Sequence, residues 1–162
     1  MRIQAGTVLR DTVLHRLAAD KVRYPSPWVL AISGGIDSMV LLHLLSAIKD
    51  ELGNPNLIAA AFDHQLRPNS ALDRDFVEHI STAMGLPFAG GVAYREYGST
   101  SGENIEARAR QQRYDFLADV ARQHHARVIF TAHHADDQVE TILLHVIRSE
   151  EHTSELQSLT NL

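Results

Sequence analysis

The 162-residue chain is 44% hydrophobic and 22% charged, the composition of one ordinary globular domain with a substantial core. Its net charge of −5 supplies no overall attraction for nucleic acid, so such a partner would need a local patch or a region outside this stretch. The absence of cysteine excludes a cysteine nucleophile, a persulfide and a thiolate-held iron–sulfur cluster.

At the amino end, Met1 to Gly6 lacks the apolar segment of a secretory leader, which predicts a cytoplasmic protein. No apolar run in the chain approaches the roughly 20 residues of a membrane helix. Val8 to Leu17 carries Val8, Leu9, Val13, Leu14 and Leu17 at helical spacing. Tyr24-Pro25-Ser26-Pro27 ends that helix and leads into a first apolar strand, Trp28 to Ile32. A helix from Asp37 to Leu52 is expected to stop at Gly53-Asn54-Pro55. Leu57 to Phe62 reads as a second strand, followed by the polar stretch Asp63 to Asn69. Ser70 is expected to cap a helix running to Met84 and ended by Gly85 and Pro87. Phe88 to Tyr94 reads as a third strand weakened by Gly90-Gly91, and Tyr97 to Gly102 as a mobile loop. Glu103 to His125 is the longest helical pattern, Val128 to Ala132 the next strand, and Asp136 to Ile147 a last helix.

Short apolar strands alternating with crossover-length helices predict an α/β fold, a Rossmann-like parallel sheet with helices on both faces. Ligands of such sheets sit outside the carboxyl ends of the strands, where the polar clusters after Ile32, Phe62 and Ala132 all fall. Residues 148–162 break the pattern, being polar and without a further strand. They resemble an in-frame translation of a sequencing-library adapter. The expected domain is therefore 1–147, incomplete at its carboxyl end, with 148–162 a non-native or disordered tail.

Three clusters carry the chemistry. Ser33-Gly34-Gly35-Ile36-Asp37-Ser38 joins a strand to a helix. Its glycines allow positive φ and close backbone approach, and the helix start offers amides and partial positive charge to a phosphate. Asp37 can hold a magnesium ion against that phosphate. No Gly-Lys-Ser/Thr follows, so a pyrophosphate cradle fits better than a Walker-type γ-phosphate loop. In the second cluster, Asp63, His64 and Arg67 either face a ligand or serve as turn and solvated residues. The third, His133 to Thr141, puts Asp136 and Asp137 at a helix start, where the dipole favours ionised carboxylates. Asp137 and Thr141 would share a helix face, with Asp136 and Glu140 on the next row. Such a group suits magnesium, an ammonium group or proton acceptance; its spacing is not that of the His-Glu-x-x-His zinc helix. Arg110 and Arg113 are three apart and can reach one anion together, although a solvated face laced with ion pairs accounts for most arginines of that helix.

These motifs, in this order from residue 28 to 147, resemble the PP-loop ATP pyrophosphatase superfamily. Within it, Phe62 to Ser70, Asn104 to Tyr114 and Thr131 to Thr141 look like the tRNA(Ile)-lysidine synthase family. One departure is Gln65, where that family usually has glycine. The resemblance implies ATP-dependent ligation of lysine to C2 of the wobble cytidine of an isoleucine tRNA with a CAU anticodon, with AMP and pyrophosphate released. It implies ATP and Mg2+ as cofactors and a possible homodimer in the full-length protein. It assigns ATP binding to Ser33, Gly34, Gly35, Ile36, Asp37, Ser38 and Asp63, with Asp37 also the metal ligand. Asp37, Asp136, Asp137 and His133 would be catalytic, with Asp137 the base, and Arg110, Arg113, Asp136 and Thr141 would bind substrate. A thiolase-like tRNA-modifying enzyme of the same superfamily is the competing reading, but that group's cysteine motifs are missing. An inactive ATP-binding fragment is the alternative of a different class.

Overall fold

Where apolar runs are short and rich in branched or aromatic residues, the chain extends into strands that bury both faces, as a parallel sheet covered by helices requires. The computed structural model describes residues 2–19, 27–94, 105–133 and 141–146, some of them by backbone alone. In chain order these form α1 (Arg2–Ala19), β1 (Trp28–Ala31), α2 (Ile36–Ile48) and a 3₁₀ turn (Lys49–Leu52). There follow β2 (Leu57–Asp63), α3 (Ser70–Ala83), β3 (Phe88–Val92), α4 (Ile105–Gln123), β4 (Val128–His133) and β5 (Thr141–Val146). The sheet order is β3-β2-β1-β4-β5, with the first four strands parallel and β5 antiparallel to β4. The expected Rossmann-like α/β architecture is thus present.

Alternate strand residues feed two separate cores. Trp28, Leu30, Ile32, Leu57, Ala59, Val128 and Phe130 join the buried residues of α1, α2 and α3, with the Trp28 and Phe130 rings 5.0 Å apart. Val29, Ile58, Ala60 and Ile129 face the other way, onto Leu117, Val120 and Ala121 of α4. Among the described residues the first core holds fifteen buried apolar residues and the second eight, three of them alanine. At Gly91 on β3, an added Cβ would lie 2.6 Å from the Phe116 ring and 2.8 Å from Phe62. The glycine that seemed to weaken this strand instead admits an aromatic ring.

Two expectations are corrected. Residues 141–146, read as the end of a last helix, form β5. Thr-Ile-Leu-Leu-His-Val is short and rich in β-branched residues, so its periodicity does not separate helix from strand. Pairing with the open edge of β4 satisfies its backbone groups. Ser70 does not cap its helix: Asn69, at φ 67°, occupies the N-cap without a side-chain cap bond, and Ser70 is the first helical residue. The loop expected at Tyr97 to Gly102 and the tail 148–162 lie outside the described residues.

Candidate active site

The turn after β1 is closed on itself by hydroxyl groups. The Ser33 amide donates to Ser38 Oγ at 3.2 Å, and the Ser38 hydroxyl donates to the Gly35 carbonyl at 2.8 Å. Since the Ser38 proton is committed there, Ser33 Oγ is the donor in the 3.2 Å contact between the two hydroxyls. Gly35 N–H completes the ring on Ser33 Oγ at 3.4 Å. Gly34 sits at φ 82°, and a Cβ there would meet Asp73 Cβ at 3.2 Å and its carbonyl oxygen at 3.3 Å. Both the backbone conformation and the approach of α3 therefore call for glycine. The N-cap of α2, Gly35, has no side-chain cap bond. Such a start keeps first-turn amides for an outside acceptor, beside the positive end of the helix. Ile36 and Asp37 are exposed in that first turn, whereas Ser38 is buried.

The loop after β2 is organised by a carboxylate. Asp63 is only 5% exposed, and its Oδ1 accepts from Gln65 N–H at 2.8 Å. Burial pushes this carboxyl up, but the Ser70 hydroxyl, the Gln65 amide and the charges of Arg74 and His64 together outweigh it. The net position is below the ordinary carboxylate value, so Asp63 stays ionised. Gln65 adopts φ 54°, a left-handed conformation in which glycine is at ease. The departure noted from the sequence thus falls on a strained position. Arg67 pairs with Asp73 at 2.7 Å on the exposed rim.

These two loops meet. Ser33, Asp63, His64, Arg67, Ser70, Asp73 and Arg74 line one cleft of about 270 Å³ at the carboxyl edge of β1 and β2. A narrower recess of about 40 Å³ adjoins it, lined by Ser33, Phe62, His64, Arg113 and Leu117. His64 belongs to both. Its ring packs edge-on to Phe62 at 5.2 Å, and Phe62 packs on Phe116 at 5.4 Å. Burial and the charge of Arg113 hold its pKa below the ordinary histidine value, against the opposing effects of the Ala109 backbone and Asp63. Arg67 and Arg74 are balanced in the larger cleft by Asp63 and Asp73, and Arg113 adds a positive charge at the smaller one.

Of the expected site residues, Ser33 lines both clefts, Asp63 the larger and Arg113 the smaller, whereas Gly34, Gly35, Ile36, Asp37 and Ser38 line neither. Arg110 is exposed and lines neither cleft; its guanidinium and that of Arg113 lie 5.1 and 5.3 Å from the Tyr114 ring. His133 ends β4, two residues past the Ala31–Thr131 pair, and so reaches the same sheet edge as Ser33. Thr141 opens β5 opposite His133, so it does not share a helix face with Asp137. Asp136, Asp137 and Glu140 lie outside the described residues. Ser70, Asp73 and Arg74 were not singled out from sequence as ligand-facing. The signal was present in their i, i+3, i+4 spacing, which continues to the buried Val77 and marks the inward face of α3.

The profile of the PP-loop domain family matches residues 9–161. The chain is 45% identical over 123 residues to proteins named tRNA(Ile)-lysidine synthase from two strains of Thermus thermophilus, covering 75% of this chain and 23% of each relative. A protein of the same name from Wolbachia sp. subsp. Brugia malayi is 34% identical over 125 residues, covering 77% of this chain and 28% of that one. The chain thus spans about a quarter of the length of these curated relatives. Among solved structures, its fold is similar to a U34-tRNA thiolase from Methanococcus maripaludis, with a TM-score of 0.62 and 16% identity over 79% of this chain and 45% of that one. It is also similar to the NH3-dependent NAD synthetase of Campylobacter jejuni, with a TM-score of 0.50 and 16% identity over 78% and 54% of the two chains.

Proposed function

This chain belongs to the PP-loop domain family, and from that premise we propose that it is the ATP-using part of a tRNA(Ile)-lysidine synthase. The observation that carries the reading is the cleft that Ser33, at the head of the glycine turn, shares with the Asp63–Arg67 loop. The names and identities of the curated relatives support the choice of reaction.

In the proposed reaction the C2 oxygen of the wobble cytidine attacks the α-phosphorus of ATP, and pyrophosphate leaves. The lysine ε-amine, after losing a proton, attacks C2 and expels AMP. The Gly34-Gly35 turn and the amides opening α2 would stabilise the charge that grows on the departing pyrophosphate. Ser33, Ile36 and Ser38 shape that seat, Ser38 from a buried position. Asp37 fits magnesium: a phosphate-bound ion takes one or two carboxylates from its protein, and this one is exposed beside the phosphate seat. When bound there, the ion would share the phosphate charge. Asp63 would serve by holding its loop against the nucleotide. Asp137 would take the proton of the lysine ammonium, with Asp136 and His133 placing it. Arg113, Arg110 and Thr141 would receive the tRNA or lysine anion. The same reading implies a cytoplasmic enzyme, tRNA(Ile) with a CAU anticodon as partner, and a homodimer at full length. Among the described residues, no helix is long and apolar enough to cross a membrane.

The test is Asp37→Ala in a full-length protein carrying this domain. The expected result is a fall of at least a hundredfold in lysine- and tRNA(Ile)-dependent pyrophosphate release. Unchanged release would overturn the mechanism.

A further inference from the structure

Arg67 and Asp73 form an ion pair of 2.7 Å between Nη2 and Oδ2, with side chains 75% and 47% exposed. A pair so open to water does little for stability. Its place is more telling: both residues line the larger cleft, and Asp73 also packs on the glycine turn. A Cβ at Gly34 would lie 3.2 Å from Asp73 Cβ and 3.3 Å from its carbonyl oxygen. The cleft thus abuts the turn at Ser33 and Asp73. A nucleotide with its sugar and base in the cleft and its phosphates on the turn passes this carboxylate, which would repel it if left unpaired. Arg67 meets that charge and keeps donors in hand. Nη2 is engaged by Asp73, and among the described residues Nε and Nη1 make no hydrogen bond. A guanidinium presents its N–H groups in a rigid fork, so a carboxylate that holds one arm also aims the others. Asp73 can do this because its own backbone is fixed, in the first turn of α3 against Gly34.

We infer that Arg67 is a phosphate ligand of the bound nucleotide and that Asp73 is its positioning residue, holding the guanidinium where cleft and turn meet. The ligand class is a nucleoside polyphosphate and not a nucleoside, since only the former brings anionic acceptors to that point. The inference rests on the ATP reading given above.

The experiment is calorimetric titration with ATP of the full chain, of Arg67→Gln, of Asp73→Ala and of the double variant. Loss of the phosphate contact should make Arg67→Gln bind ATP about tenfold more weakly. Asp73→Ala is the sharper test, because it removes a negative charge beside an anion. Charge alone predicts tighter binding; lost positioning predicts weaker binding, by about threefold. In the Arg67→Gln background the same change should reverse sign and tighten binding about twofold, since only repulsion is left to remove. Arg67→Gln binding as tightly as wild type overturns the inference and leaves the ATP reading standing. So does an Asp73→Ala effect that is absent or has the same sign in both backgrounds. No binding of ATP to wild type overturns both. Should Arg67→Gln fail to fold, nitrogen-15 NMR of the wild-type Arg67 side chain decides. An Nε resonance that moves on adding ATP and not on adding adenosine supports the inference; one that responds to both alike, or to neither, sinks it.

Discussion

The loops after β1 and β2 solve the same problem in opposite ways. Each leads from the carboxyl end of a parallel strand into a helix, and each must satisfy backbone groups at the bend. The first closes with two hydroxyls and a glycine at φ 82°, and leaves the start of α2 without a side-chain cap. The second closes around a buried carboxylate that accepts from Gln65 and Ser70. The first loop carries its carboxylate, Asp37, outward at the exposed helix start, whereas the second turns Asp63 inward as the acceptor that closes the loop.

The largest break in this contrast should come from the second loop. Asp63→Ala strands the Gln65 amide and the Ser70 hydroxyl, and is expected to lower stability by about 2–3 kcal/mol in urea unfolding. The pH dependence has a definite sign. Because the folded-state pKa of Asp63 is depressed, its contribution is present above its ordinary value of 3.8 and lost as pH falls through the lower folded value. Asp63→Asn should remove that acid-dependent part; identical acid slopes for the two proteins would mean the carboxylate does not clamp the loop. The next effect belongs to the first loop. Gly34→Ala forces an L-residue to positive φ against Asp73, for about 1–2 kcal/mol of stability and at least tenfold weaker ATP binding by calorimetry. Binding unchanged from wild type would show that phosphate does not approach this turn. The smallest effect is a gain. Gln65→Gly relieves about 1–2 kcal/mol of left-handed strain, offset in part by glycine's freedom in the unfolded chain. A net rise of about 0.5–1 kcal/mol is expected in the same urea assay, and a fall would show that the Gln65 side chain stabilises the loop.

Legibility in the sequence followed the range of the forces involved. The elements from β1 to β4 could be read because their apolar periodicity, prolines and glycines act within a few residues of one another. Gly34 was legible for the same reason, as part of a local turn. The bond between Ser70 and Asp63 was not, because a serine before a helix reads as a cap until the strand end beside it is known. Residues 141–146 were ambiguous in a different way: their identity as β5 depends on an open strand edge, which the segment itself does not encode. Gly91 misled for a related reason. Its value lies in Phe116, 25 positions away, and a local rule sees only a strand interrupted by glycine.

That missing side chain also bears on the cleft. Phe116 shares α4 with Ala109 and Arg113, and its seat over Gly91 joins Leu117, Val120 and Ala121 in holding that helix to the sheet. A methyl group at Gly91 would press on the rings of Phe116 and Phe62, and Phe62 is the ring against which His64 stands in the cleft.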